Sequence, residues 1–133
     1  VLLKQPAAFT REEGAKAMTE LLALAQPPDA VFCFSDVLAI GAMRAIHDHG
    51  LRVPHDVAVV GFDDIAEGRF SVPSLSTISP QKDQLGELAV GLLERRLGDN
   101  GSGFPAEEVE VNFTLKVRES TQPDERLRST DDR

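Results

Sequence analysis

The sequence has a single cysteine, no apolar run approaching the roughly 18 residues of a membrane span, and too few basic residues to balance its acids. One cysteine excludes an internal disulfide framework, which suits a reducing cytoplasm. Cys33 lies inside an apolar stretch, where a buried, inert thiol is expected. The 14 Lys and Arg against 22 Asp and Glu leave a net charge of −8, with a pI near 4.8. Such a chain should be repelled by nucleic acid and by anionic membranes. No basic cluster or zinc-finger spacing offsets that. No glycine-rich phosphate loop appears, because Gly61 and Gly68 fit neither the P-loop nor the dinucleotide fingerprint. His47-Asp48-His49 places two histidines two positions apart on an expected helix, where side chains diverge, so no metal site is expected. No nucleophile–base pair stands out, no cofactor is implied, and no signal peptide is visible. The opening VLLKQ, without methionine, reads as the interior of a longer chain.

What is present is enough for one domain: 133 residues, 41% of them hydrophobic. The organising stretch runs from Ala30 to Ile65 and reads as strand, helix, strand. Ala30–Phe34 is a short aromatic-rich apolar run, as expected of a strand buried on both faces. Ser35 or Asp36, with Asp36 the stronger candidate, caps a helix that reaches His49 and stops at Gly50. A second strand, Val57–Val60, leads into Gly61-Phe62-Asp63-Asp64. Two strands joined by a helix should lie parallel.

The flanks extend the alternation. Val1–Leu3 is a candidate short strand. Thr10-Arg11-Glu12-Glu13 is a capping box ahead of a helix with a Gly14, Met18, Leu21, Leu22, Ala25 stripe. The helix over 36–49 is apolar almost all round, so it needs cover on two sides, from its own chain or from a partner. Ala66–Pro73 reads as a loop and Leu75–Ile78 as a strand. Leu85, Leu88, Ala89, Leu92, Leu93 and Leu97 mark one face of a further helix. Gly98–Gly103 reads as a flexible turn. Alternation from Val109 to Val117 predicts an edge strand with one buried and one wet face. From Glu119 the chain is almost wholly polar. The expected organisation is one domain over 1–120 and a disordered tail over 121–133. The class is α/β with a mostly parallel sheet flanked by helices.

Polar residues gather at one end of this plan. Ser35-Asp36 and Asp63-Asp64 both follow the C-terminal end of a strand, where open parallel sheets bind ligands. A carboxylate at position 63 can accept two hydroxyl hydrogen bonds, or can cap its own loop. Asp64 should point elsewhere, which makes the two a poor acid–base dyad.

The pattern SDVLAIGAMRAIHDHGLRVPHDVAVVGFDD resembles the effector-binding domain of LacI/GalR-type transcription regulators. The resemblance extends through FTREEGAKAMTELL and SLSTISPQKDQLGELAVGLL, over roughly residues 9 to 120. It implies a type I periplasmic-binding-protein-like effector domain, incomplete in this chain, with ligand in a cleft between two subdomains. It implies ligand contacts from Phe9, Ser35, Asp36 and Asp63. Phe9 matches the aromatic that stacks on the ligand, though buried core is its other reading. Ser35 stands where many relatives have Asn, and Pro80 where some sugar binders have Gln, which argues against a simple sugar site. The implied function is a cytoplasmic, non-enzymatic sensor for a sugar or nucleoside-like effector. A transport-type sugar-binding protein is the alternative, and a small enzyme using Asp63 as nucleophile a remoter one. The resemblance further implies a homodimer through the 36–49 helix (Ile40, Met43, Arg44) and the loop holding Phe70. Operator DNA would be met only through an N-terminal helix-turn-helix absent from this sequence, and no membrane is involved.

Overall fold

The computed structural model describes residues 2–98 and 107–122. Helix α1 (Arg11–Leu22) starts at Thr10, whose hydroxyl accepts the Glu13 N–H at 3.2 Å. The reciprocal half of the expected capping box is redirected, since the Glu13 carboxylate accepts the Ala7 N–H at 3.0 Å. The chain then alternates β1 (Ala30–Phe32), α2 (Asp36–Asp48), β2 (Ala58–Phe62), α3 (Ala66–Phe70), β3 (Ser76–Pro80), α4 (Lys82–Gly98) and β4 (Phe113–Lys116). The four strands form one sheet in the order β1-β2-β3-β4. β1, β2 and β3 run parallel, and β4 closes the far edge antiparallel to β3, pairing Ile78 with Leu115. The mostly parallel α/β class is thus observed.

The core lies where α1, α2 and the sheet meet: Met18, Ile46, Val57, Val59 and Leu75 are each no more than 1% exposed. α1 covers the second face of α2. Glycines allow this close approach, because a Cβ on Gly14 would run into the backbone of Leu38, and one on Gly41 into the carbonyl of Arg11. The apolar circumference of α2 is therefore largely satisfied inside the chain, leaving Ile40 half-buried and Arg44 exposed.

Ser120 joins β2 to the approach to β3. Its hydroxyl accepts the Ser76 N–H at 2.8 Å and donates to the Val59 carbonyl at 2.6 Å, and its carbonyl accepts the Val59 N–H at 3.0 Å. Thr121, placed by the sequence in the tail, pairs its hydroxyl with that of Ser76 at 2.7 Å. The remainder of the expected tail, from residue 123 on, and most of the 98–103 turn lie outside the described residues.

Several expectations need correction. Leu2 and Leu3 form no strand and are exposed. β1 ends at Phe32 and is buried on one face only: Val31 packs against the core, while among the described residues nothing covers the face that carries Phe32. Phe32 and Phe34 stay exposed in edge-to-face contact, with ring centroids 5.5 Å apart. The segment expected to be a loop after Ile65 contains α3. α4 forms as its leucine period predicts, yet none of its residues is buried. Likewise β4 is shorter than the alternation suggested and exposed at every position. Both patterns are those of elements that need a further apolar layer, which the described residues do not supply.

Candidate functional site

The ends of three parallel strands meet at one rim. The cap of α2 is Ser35, not Asp36: its hydroxyl accepts the Leu38 N–H at 3.3 Å, and the residue is buried. Asp36 turns inward instead and is fully buried. One carboxylate oxygen accepts the Thr77 hydroxyl of β3 at 2.6 Å, and the other accepts the Ile65 N–H beyond β2 at 2.9 Å. Burial pushes its carboxyl above the usual carboxylate range, against the lowering effect of those two donors. Gly61 makes room, because a Cβ there would overlap the Asp36 carboxylate. Asp36 thus ties together the three segments that frame the rim.

Asp63 and Asp64 share no carboxylate partner among the described residues. Asp63 has φ 107° and Asp64 φ 51°, both in the left-handed region that side chains other than glycine seldom adopt. The Asp63 N–H donates to the Ile78 carbonyl at 2.9 Å. Its carboxylate makes no hydrogen bond among the described residues and is half-buried, so its acceptors remain available. Asp64 is buried and saturated: Arg118 donates at 2.6 Å, Arg69 at 3.0 Å and the Ser79 hydroxyl at 3.1 Å. Burial alone would raise this carboxyl, but those hydrogen bonds hold it at about 2. Arg118 was missed by sequence reasoning. It sits 54 positions away in the alternating segment, where it reads as one more wet-face charge.

Phe9 stands exposed in the loop before α1. Arg11, two positions on, reaches Glu67 of α3 at 4.0 Å, which brings this loop and α3 to the same end of the molecule. Cys33, buried behind the rim, has its thiol pushed to about 12 by burial and by the nearby Asp36 charge. No group of three His, Cys, Asp or Glu among the described residues could hold a metal ion. No described helix is long and apolar enough to cross a membrane.

On the opposite side of α2, Ile40, Met43 and Arg44 line a groove with Leu51, Val53 and Val72. Val72 is 96% exposed and Phe70, just before it, 85%. Met43 itself is buried, and Arg44 pairs with Asp48 at 2.8 Å. The structure therefore brings Ile40, Met43 and Arg44 together on one face, and Phe70 ends α3, not a loop, just before the Ser71–Pro73 stretch that lines the same groove.

A periplasmic binding protein-like domain matches residues 2–121. The chain is 40% identical over 114 residues to an HTH-type transcriptional repressor, PurR, of Mannheimia succiniciproducens, covering 86% of this chain and 34% of that protein. It therefore spans about a third of the length of such relatives. Among solved structures, it is similar to a LacI-type transcription regulator from Bifidobacterium animalis subsp. lactis (TM-score 0.75, 37% identity, covering 87% of this chain and 41% of the other). A LacI family regulator from Lactobacillus casei with bound glucose is also similar (TM-score 0.67, 30% identity, 84% and 39%). Matched over 2–121 and built on a mostly parallel sheet with its polar rim at the strand ends, the chain belongs to the periplasmic binding protein-like domain family, and within it matches the effector-binding part of LacI-family regulators.

Proposed function

We propose that this chain is the ligand-sensing and dimer-forming part of a DNA-binding transcriptional repressor, and that it takes a small sugar or nucleoside-like effector. The observation that carries this reading is Asp63: a half-buried carboxylate with free acceptors, lifted on a left-handed backbone at the C-terminal end of a parallel strand. Such a group pairs with neighbouring hydroxyls or with ring N–H groups of a ligand. Phe9 supplies an apolar face for stacking, and Ser35 and Asp36 shape the floor, Asp36 by positioning the surrounding turn. The open faces of α4, β4 and β1 are where the other subdomain and the rest of the sheet would pack. The effector would lie between the two halves.

Control of this kind requires the effector to bind the two conformations with different affinity. The acidic chain itself would not read DNA, and operator contact would come from an N-terminal helix-turn-helix elsewhere in the protein. The similar proteins named above are repressors and regulators, which supports a cytoplasmic, non-enzymatic sensor over a transport protein. The second face, Ile40 to Phe70, would form a two-fold homodimer contact.

The test is calorimetric titration of the intact protein with glucose and with hypoxanthine, a sugar and a purine base. Asp63→Asn should weaken the bound probe by about ten- to over a hundredfold, since a hydrogen bond to a charged group contributes on the order of 1.5–3 kcal/mol. Equal affinity for wild type and variant, with a lowered melting temperature, would assign Asp63 to its own loop instead.

A further inference from the structure

We propose that Arg118 is a positioning residue for this site: through Asp64 it holds the Phe62–Ile65 turn in the backbone conformation that presents Asp63. What the turn is for rests on the binding reading above; how it is held rests on geometry alone. Asp63 at φ 107° and Asp64 at φ 51° are consecutive left-handed residues without the freedom of glycine. Backbone of that kind persists only where the surroundings over-determine it. Asp63 contributes little to its own restraint: among the described residues its one tie is its N–H to the Ile78 carbonyl. The restraint falls on its neighbour. The Asp64 carboxylate meets Arg118, Arg69 and Ser79, its carbonyl accepts from Lys82 Nζ at 3.3 Å, and its N–H faces the Thr77 hydroxyl at 3.4 Å.

The two arginines are not equivalent. The side chain of Arg69 is 56% exposed and that of Arg118 only 18%. The Arg118 fork is itself fixed. One terminal nitrogen donates to Asp64 at 2.6 Å and the other to the Leu75 carbonyl at 2.7 Å, while its backbone N–H donates to the Ser76 hydroxyl at 2.7 Å. Arg118 is thus a bracket bolted to the start of β3, with a planar fork that a lysine cannot reproduce. Its position has a further consequence. Lys82 opens α4 and Arg118 follows β4, so the segments entering and leaving the 82–116 excursion both grip Asp64. A displacement of α4 would reach the Asp63 turn through Lys82, and one of β4 through Arg118.

Hydrogen–deuterium exchange on the intact protein tests the restraint without any ligand. In Arg118→Gln the amides of Asp64 and Ile65 should exchange about tenfold faster, with α1 and α2 unchanged, and Arg118→Lys should recover part of the protection. Unchanged exchange in the turn, or equal acceleration throughout the domain, would overturn the proposal. Should Arg118→Gln fail to fold, Arg118→Lys decides: intermediate, local acceleration supports the bracket, and wild-type exchange refutes it. Titration with glucose and hypoxanthine adds the functional arm. Arg118→Gln should weaken whichever probe the wild type binds by about tenfold, without contacting it; equal affinity would overturn the link to the site. If the wild type binds neither probe, the binding reading fails for those ligands, and the exchange data still judge Arg118.

Discussion

Asp36 and Thr77 are 41 positions apart and share a 2.6 Å hydrogen bond in a site from which water is excluded. The bond joins the first residue of α2 to the second residue of β3, and the other oxygen of Asp36 holds the Ile65 N–H. A buried carboxylate without its donors would be costly, and this one is satisfied by donors from two other segments, Thr77 of β3 and the turn after β2.

Thr77→Val keeps the shape of the side chain and removes the donor. It should lower stability by about 1–3 kcal/mol, the cost of leaving a buried acceptor unpaired. The sign of the pH dependence follows from the raised Asp36 carboxyl. The folded state prefers the protonated form, so this group's contribution is fully present below the ordinary value of 3.8 and is lost as pH rises through its folded value. Removing a donor to the carboxylate raises that value further. Urea unfolding should therefore show a larger loss in Thr77→Val at pH 7 than at pH 4, and equal losses would mean that the charged form is not what the hydroxyl supports.

The α1–α2 contact depends on two hydrogens. Gly41→Ala places a methyl group against the Arg11 carbonyl, and Gly14→Ala one against Leu38 backbone. Backbone cannot yield as a side chain can, so the helices must separate, and overpacking of this kind costs about 1–3 kcal/mol. That outweighs the gain of up to about 1 kcal/mol that alanine brings to a helix interior. Gly86→Ala is the control, because no described residue lies within 4 Å of its added carbon. Thermal melts should rank Gly41→Ala and Gly14→Ala below wild type and Gly86→Ala at or above it. A neutral Gly41→Ala would show that the helices do not approach this closely.

These contacts mark what was legible in the sequence. Strand–helix–strand order, the Gly50 stop and the placement of Asp63 at a strand end follow from local patterns, and they emerged as expected. Periodicity says that α2 needs cover on two faces but not who supplies it; α1 does so through glycines whose role shows only once two helices touch. Asp64 and Arg118 were invisible as a pair because nothing local joins residues 54 apart. For α4 the helix was readable and its burial was not, because periodicity marks an apolar face but not what covers it, and among the described residues nothing does. At the α2 cap, Ser35 prevailed over Asp36 because Thr77 and Ile65 offer the carboxylate better donors than the helix start does.

Asp64 gives the acid limb of stability. Its carboxyl sits at about 2, below the ordinary 3.8, so its contribution is present above pH 4 and disappears as pH falls through that interval. The difference corresponds to about 2 kcal/mol. Asp64→Asn should therefore lose about that much at pH 7, with some additional loss from the underpaired Arg118, and should converge on wild type near pH 2. Denaturation curves at pH 7, 4 and 2 measure this directly. Curves that stay parallel down to pH 2 would show that the ion pair does not depress Asp64.

Phe70 tests the second face. It is 85% exposed, beside Val72 at 96% and the groove that Ile40 helps to line, an apolar surface that costs free energy if left in water. Burying the Phe70 ring in a two-fold contact would contribute about 1.5–3 kcal/mol per subunit, and symmetry makes each substitution act twice. Phe70→Asp should convert that gain into a buried unpaired charge, and so raise the dimer dissociation constant by at least a hundredfold. Because the side chain is so exposed among the described residues, the melting temperature of the monomer should hardly move. Ile40→Asp should have the same effect on association, with some loss of stability, since Ile40 is half-buried against the core. Light scattering across a concentration series separates the outcomes. A wild-type protein that is monomeric at high concentration, or a dimer unchanged by Phe70→Asp, would remove this face from the interface.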